Sequence, residues 1–212
     1  MPSFITRWLR PLLDGFSRVV GLLRVPQSPW ERVPMRVPAT AFGPGSRLQF
    51  ADYFDGESTV HVESLDDIVA WLLECEYGSD ADLFNEPDLW QHPSAFEQLR
   101  RGDCEDFALW AWRKLSEIGI EAEFYVGRVC CGDERAADRQ HAWVVYLING
   151  TDFLFEPAAR SRAQMIRPLA EVVDDYVPHF AVNRRFDTSA FVGCVLDSHR
   201  SRPRERGPSQ AA

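Results

Sequence analysis

Apolar residues in the middle of the chain recur every three to four positions, a spacing that predicts helices. The first helix follows Ser64, which forms a capping-box pattern with Asp67, and its apolar face consists of Ile68, Trp71, Leu72 and Cys75. Ser94 and Glu97 form a second capping-box pattern, which predicts a short helix that ends near Arg101. A third helix is predicted over residues 104–118, because Gly119 is typical of a helix C-terminus.

Beyond Gly119 the pattern changes from helical to alternating, which predicts strands over residues 121–131, 141–148 and 151–156. Asn149-Gly150, between the last two strands, is the strongest short signal for a two-residue hairpin. The remaining elements are predicted with weaker patterns: strands over 58–62, 180–182 and 190–195, and a helix over 169–176. The sequence therefore predicts an α+β fold.

The formal net charge of −9 is unevenly distributed over the 212 residues. Residues 1–36 carry +4 and residues 199–212 carry +3, so the part between them carries −16. An acidic body argues against nucleic acid as the main partner and is better suited to binding a cation. Five cysteines, an odd number without regular spacing, indicate a reducing compartment rather than a disulfide framework.

The N-terminal region predicts an amphipathic basic helix over residues 5–24, whose apolar stripe consists of Ile5, Trp8, Leu9, Leu12, Phe16, Val19, Val20 and Leu23. Asp14 and Arg18 interrupt the apolar core that a signal peptide needs, so we expect a cytoplasmic location. The helix either docks on its own domain or a partner protein, or lies on a membrane surface. Residues 25–46 are rich in Pro, Gly and Arg, which predicts a linker. The chain therefore divides into an N-terminal extension over 1–46, a domain over 47–198 and a disordered basic tail over 199–212.

Cys104 lies at the predicted start of the third helix, directly after Asp103, a good N-cap residue. The unpaired backbone N–H groups and the dipole of a helix N-terminus stabilise an anion and lower the pKa of a thiol. A small buried residue at a helix start is the alternative interpretation, because free cysteine packs well in protein interiors.

The predicted hairpin determines which acid lies beside His141. A two-residue turn pairs Ile148 with Thr151, so Trp143 lies opposite Glu156, and His141 is a diagonal neighbour of Glu156 on the same face. Asp152 shares that face but lies too far along the strand to contact His141. A core histidine and a strand-end surface charge are the alternative interpretations of these two residues. Together with Cys104, they make a candidate nucleophilic triad.

These motifs resemble the transglutaminase-like superfamily of papain-type fold, and in particular the bacterial transglutaminase-like cysteine proteinases. The resemblance covers residues 85–158 and rests on four segments: Trp90-Gln91-His92-Pro93, Gly102-Asp103-Cys104-Glu105-Asp106, Leu115-Ser116-Glu117-Ile118-Gly119 and His141-Ala142. It implies a catalytic domain in which the nucleophile helix packs on an antiparallel sheet, with Cys104 as nucleophile, His141 as base and acid, and Glu156 as orienting acid. The family usually has Asp where Glu156 stands.

The resemblance also implies that Asp103 and Glu105 are calcium ligands, although both acids can instead simply complement the helix N-terminus. It makes Trp90 or Gln91 an oxyanion donor beside the Cys104 backbone N–H, with a buried structural role as the alternative for Trp90. We expect hydrolysis of peptide or isopeptide bonds in a protein or peptide substrate through a thioester acyl-enzyme. No cofactor is required in this interpretation, and Ca²⁺ is the one ion that the resemblance implies as a ligand of the two acids. Transglutaminase-type acyl transfer and a non-catalytic interaction module remain the alternatives.

Overall fold

The computed structural model describes residues 28–35, 37, 45–130 and 140–200. The helix predicted over residues 5–24 and almost all of the predicted tail over 199–212 lie outside these ranges. No helix in the described ranges is long and apolar enough to span a membrane.

Within the described ranges, seven antiparallel strands form one sheet in the order β1-β9-β8-β4-β5-β6-β7. Their bounds are Arg32–Val33 (β1), Glu121–Val129 (β4), Gln140–Ile148 (β5), Thr151–Phe155 (β6), Ile166–Pro168 (β7), Tyr176–Asn183 (β8) and Thr188–Phe191 (β9). A separate parallel pair joins β2 (Glu76–Tyr77) to β3 (Arg101–Gly102). The predicted hairpin register is confirmed, because Ile148 pairs with Thr151 across the Asn149-Gly150 turn.

The α-helices are Leu65–Leu73 (α1), Asp80–Phe84 (α2), Pro93–Leu99 (α3), Cys104–Glu117 (α4), Arg162–Met165 (α5), Leu169–Val172 (α6) and Val192–Arg200 (α7), with short 3₁₀ turns at Asp52–Phe54 and Val173–Asp175. Ser64 caps α1 as predicted, accepting from the backbone N–H of Asp67 at 3.2 Å. The predicted cap of α3 is wrong: His92 is its N-cap, and Pro93 occupies the first turn, where a missing N–H costs nothing.

Helix α4 lies at the centre of the domain, and its residues from Glu105 to Ser116 are all buried. It packs on one face of the sheet, in a core that includes Ala108, Phe124 and Val144. The stacked rings of Trp71 and Trp110, 4.0 Å apart, join α1 to α4. The predicted α+β architecture, with the Cys104 helix packed on an antiparallel sheet, is confirmed. The opposite face of the sheet carries a second apolar cluster around Trp143, Val145 and Leu154.

The strand predicted over residues 58–62 is wrong, because side chains bind the backbone of that segment in place of a neighbouring strand. Glu97 accepts from the backbone N–H of Thr59 at 2.7 Å, and the Lys114 ammonium donates to the carbonyl of Val60 at 2.6 Å. The Lys114 side chain has no solvent exposure and also lies 3.2 Å from a Glu97 carboxylate oxygen. This buried ion pair ties the segment to α4.

Three other predictions differ from the structure. Part of the predicted 25–46 linker belongs to the sheet, because β1 pairs with β9 and supplies it with an edge strand. The strand predicted over 190–195 ends at Phe191, and α7 begins at the next residue, Val192. The helix predicted over 169–176 is a single turn followed by a 3₁₀ turn, and Tyr176 already belongs to β8.

Candidate active site

A tight turn places Cys104 at the first position of α4. The backbone N–H of Asp103 donates to Asp106 Oδ2 at 3.2 Å, which closes the start of the helix. Gly102 precedes it, and a Cβ at that position would lie 2.3 Å from Asp106 Oδ2 and 2.7 Å from Gln91 Nε2. Only glycine therefore allows the chain to pass this close to the buried Asp106 side chain.

The thiol of Cys104 is half-buried and donates to Glu105 Oε2 at 3.0 Å. Burial raises the pKa of this thiol well above its usual value, and the carboxylates of Glu105 and Asp103 raise it further. A hydrogen bond with the backbone of Ala142, the neighbour of His141, has the opposite but smaller effect on the pKa. The lowered pKa predicted from the helix start is therefore wrong for this arrangement, because burial and acids outweigh the helix N-terminus.

His141 and Glu156 form the contact that the hairpin register predicts. His141 Nε2 lies 2.7 Å from Glu156 Oε2, and the two side chains are 22% and 14% exposed. Glu156 directly follows β6, and its backbone N–H donates to the carbonyl of Met165 at 2.7 Å, which anchors the acid to the end of α5. Because Glu156 occupies Nε2, the nitrogen left for proton exchange is Nδ1 of the same ring.

Three residues that sequence reasoning missed hold this pair in position. The Tyr176 hydroxyl donates to Glu156 Oε2 at 3.2 Å and accepts from Arg167 Nη2 at 3.1 Å. The ring of Trp143 stacks on His141 at a centroid distance of 6.2 Å. The spacing of Trp143 two residues after His141 is a sequence signal for a shared face, whereas Tyr176 and Arg167 come close only through the order of the strands.

Five carboxylates lie around the start of α4. One oxygen from each of Asp80, Asp103 and Asp106 lies within 4.8 Å of the others, and the same holds for Asp80, Asp88 and Glu105. Burial is the main cause that raises the pKa of Asp80 to about 6, that of Asp106 to about 8 and that of Glu105 to about 10, with neighbouring acids adding to each. Burial also raises the pKa of Asp103. The cluster extends the predicted pair of Asp103 and Glu105 by Asp106 on the same helix and by Asp80 and Asp88 from an earlier part of the chain.

The acid cluster fits a hard cation such as calcium. Asp80 Oδ1 and Asp103 Oδ1 are buried and have no hydrogen-bond partner among the described residues, which is costly for a carboxylate oxygen unless a cation contacts it. Carboxylate oxygens are the ligands that calcium prefers. Burial, together with the neighbouring acids, raises the pKa of these carboxyls and so makes their ionised forms costly, a cost that a bound cation would offset.

The two residues predicted as oxyanion donors lie beside this cluster. The Gln91 side-chain amide donates to Arg101 O at 2.9 Å and to Asp106 Oδ2, so both of its N–H groups have acceptors. The Trp90 ring N–H donates to Asp88 Oδ1 at 3.1 Å, and its side chain packs in the core. These contacts favour structural roles for both side chains. Of the predicted oxyanion donors, the backbone N–H of Cys104 is then the remaining candidate.

No protein-family model matches the chain, and neither does any curated protein. Calcium-bound LapG of Legionella pneumophila is 16% identical, with 66% of this chain and 75% of that chain covered and a TM-score of 0.46. EGTA-treated LapG gives 17% identity, 64% and 70% coverage and a TM-score of 0.44. A solved structure described as a TGase is 12% identical, with 69% and 38% coverage and a TM-score of 0.33. Since these TM-scores are below 0.5, the functional assignment rests on the motifs and geometry of this chain.

Proposed function

We propose that the protein is a cysteine hydrolase of peptide or isopeptide bonds in a protein or peptide substrate. The observation that carries the proposal is the 2.7 Å contact between His141 Nε2 and Glu156, beside a thiol that bonds the backbone of the residue next to His141. A half-buried cysteine, a histidine with one free ring nitrogen and an orienting carboxylate make up the set of groups that thiol acyl transfer needs.

In the proposed reaction, His141 Nδ1 accepts the thiol proton as Cys104 Sγ attacks the substrate carbonyl. The backbone N–H of Cys104 stabilises the oxyanion of the tetrahedral intermediate. His141 then gives its proton to the leaving amine, and a thioester remains on Cys104. Water, deprotonated by the same imidazole, attacks the thioester and releases the acid and the free thiol. Glu156 holds the tautomer and stabilises the imidazolium, and Tyr176 keeps the carboxylate in place through its 3.2 Å hydrogen bond.

We also propose that a calcium ion binds among Asp80, Asp103 and Glu105, with Asp88 and Asp106 completing the acidic surroundings. Such an ion would supply positive charge next to the thiol and relieve the repulsion among the acids. Glu105 would then act as a ligand of the ion instead of accepting the hydrogen bond of the Cys104 thiol. In a thermal-shift titration with CaCl₂, the parent should be stabilised and Asp103→Asn should respond much less; an unresponsive parent rejects the ion.

A non-catalytic module is the second candidate function, and the hydrogen bond from the Cys104 thiol to Glu105 favours it. A thiol held by a carboxylate, with a raised pKa, is a poor nucleophile near neutral pH. The two functions differ in one measurable property, which is the reactivity of Cys104 when calcium is present.

Alkylation of the full chain with iodoacetamide across pH, followed by mass spectrometry of each cysteine, tests the proposal. With calcium at pH 7, Cys104 should react about tenfold faster than an ordinary thiol, and His141→Ala should remove most of that advantage. Exposed Cys130 serves as the reference for an ordinary thiol. Cys75 is buried, and burial raises its pKa to about 12, so it serves as the unreactive control. If Cys104 reacts no faster than Cys130, the protein is a non-catalytic module.

Transglutaminase-type acyl transfer differs from hydrolysis only in the group that attacks the thioester. An activated aryl ester and a fluorescent primary amine, incubated with the parent and with Cys104→Ala, separate the two. Free acid as the main product supports hydrolysis, whereas an amide with the amine supports transfer.

A further inference from the structure

A pocket of about 330 Å³ opens on the sheet face opposite α4, near the Asn149-Gly150 turn. Its apolar lining includes Trp30, Tyr125, Val145, Leu147 and Leu169. The pocket lies apart from the candidate active site, because Leu147 and His141 are six residues apart on β5, which is about 20 Å of strand. Leu147 is 38% exposed, although its neighbours on this face belong to a buried cluster.

The rim of the pocket is acidic. Among the residues that the structure describes, three carboxylates line it, those of Glu121, Glu123 and Asp152, against one guanidinium, that of Arg32. Arg32 is already paired with Glu123 at 2.6 Å, so two negative charges remain in excess. An apolar floor with an acidic rim fits a ligand that combines an apolar stripe with arginines, which is the chemistry of a basic amphipathic helix.

Residues 5–24 of this chain have that chemistry, with Arg7, Arg10, Arg18 and Arg24 against Asp14. The connection to the pocket is short. Ser28 is the first described residue, and Trp30, two positions later, is part of the pocket lining. The Trp30 ring N–H donates to the carbonyls of Val173 at 2.9 Å and Tyr176 at 3.0 Å, which fixes the chain here. Ser28 lies four positions after Arg24, a reach of about 14 Å.

We propose that residues 5–24 dock on this pocket in the same chain. The short connector brings the C-terminal part of the apolar stripe, Val19, Val20 and Leu23, to the apolar floor. The flanking arginines, Arg18 and Arg24, face the acidic rim of Glu121 and Asp152. The tether favours this docking over association between chains, because it raises the effective concentration of the segment at the pocket. The inference does not depend on the proposed catalytic function.

Photo-cross-linking of the full chain tests the docking. Benzoylphenylalanine replaces Leu147 at the pocket or, as the matched control, Leu99 on α3, which is 42% exposed. Position 147 should cross-link to residues 5–24 and position 99 should not, as mapped by mass spectrometry. A mixture of isotopically light and heavy chains shows whether each cross-link lies within one chain. Absence of cross-links from position 147 to residues 5–24, or cross-links only between chains, overturns the proposal.

Charge reversal and vesicles provide two independent checks. Asp152→Arg should lower the cross-link yield about two- to fivefold, the range expected for an exposed ion pair, whereas Glu57→Arg should leave it unchanged. Val20→Asp should lower the yield by removing an apolar contact, and unchanged yields in both Asp152→Arg and Val20→Asp contradict the docking. With vesicles of phosphatidylcholine and phosphatidylglycerol, the parent should stay in the supernatant and keep its cross-link. Pelleting with loss of the cross-link assigns the segment to a membrane surface instead.

Discussion

The acid cluster predicts that removing one of its charges stabilises the calcium-free protein. Asp80 is 3% exposed, and burial raises the pKa of its carboxyl from 3.8 to about 6. A shift of roughly two units corresponds to about 3 kcal/mol lost from the free energy of unfolding once the group ionises. In Asp80→Asn the amide oxygen can still accept from the backbone N–H of Leu89, which lies 2.6 Å from Asp80 Oδ2. We therefore expect Asp80→Asn to be about 2 kcal/mol more stable than the parent in EGTA at pH 8.

The sign of this effect depends on pH. Because the folded-state pKa of Asp80 is raised, the carboxyl costs nothing below pH 3.8, where it is protonated in both states. The cost accumulates as the pH rises from 3.8 to about 6, so the advantage of Asp80→Asn should grow between pH 4 and about pH 6 and then stay level to pH 8. Urea unfolding followed by tryptophan fluorescence measures it, with exposed Asp82→Asn on the same short helix as a control expected to change stability by less than about 0.5 kcal/mol.

Calcium should make the parent more stable than Asp80→Asn, the reverse of the order in EGTA. An ion at one hundred times its dissociation constant stabilises the parent by about 2.7 kcal/mol, and Asp80→Asn lacks one ligand and should gain much less. If Asp80→Asn is less stable than the parent in EGTA at pH 8, ionised Asp80 does not lower the free energy of unfolding as its burial among acids implies. If both proteins gain equally from calcium, Asp80 is not a ligand.

Three further predictions concern the buried ion pair, the strand beside His141 and the candidate active site. Glu97→Gln should cost about 3 kcal/mol in urea unfolding at pH 7, because hydrogen bonds and Lys114 outweigh burial and lower the pKa of Glu97 to about 2; the difference should shrink as the pH falls from 4.5 through about 2. In Gly127→Ala the added Cβ would lie 2.2 Å from the carbonyl oxygen of Val177, so thermal denaturation should show a free energy of unfolding that is lower by about 1–3 kcal/mol. Glu156→Asp withdraws the carboxylate by about one C–C bond, so alkylation of Cys104 should slow about tenfold in calcium, and an unchanged rate rejects Glu156 as the orienting acid.

The sequence predicts the hairpin that carries His141 and Glu156 well, because the turn and the alternation of side chains along its strands determine the register. A two-residue turn at Asn149-Gly150 leaves one register, and the side-chain period of two then selects Glu156 over Asp152 as the partner of His141. The structure has this register and this contact. Helix α4 is also readable from sequence, since its apolar periodicity is unbroken between Asp103 and Gly119.

Other parts of the site depend on the tertiary structure, and local patterns do not reveal them. Asp80 comes from α2 and Tyr176 from β8, and no sequence spacing relates either residue to Cys104 or Glu156. The thiol pKa was predicted in the wrong direction, because a helix N-terminus is a local feature whereas burial among acids is a tertiary one. The loop over residues 58–62 was misread as a strand because its partners are the side chains of Glu97 and Lys114.

Lys114 is the single lysine of the chain, and its ammonium is enclosed with Glu97 and Glu117. The folded domain described here therefore presents no accessible lysine amine. If Cys104 carries an acyl group, as proposed, the enclosed Lys114 ammonium cannot accept it, so Lys114 of the folded domain cannot form an isopeptide cross-link. Amine-reactive labels will leave the folded domain unmodified at lysine, and labelling of Lys114 becomes a direct signal that the domain has opened.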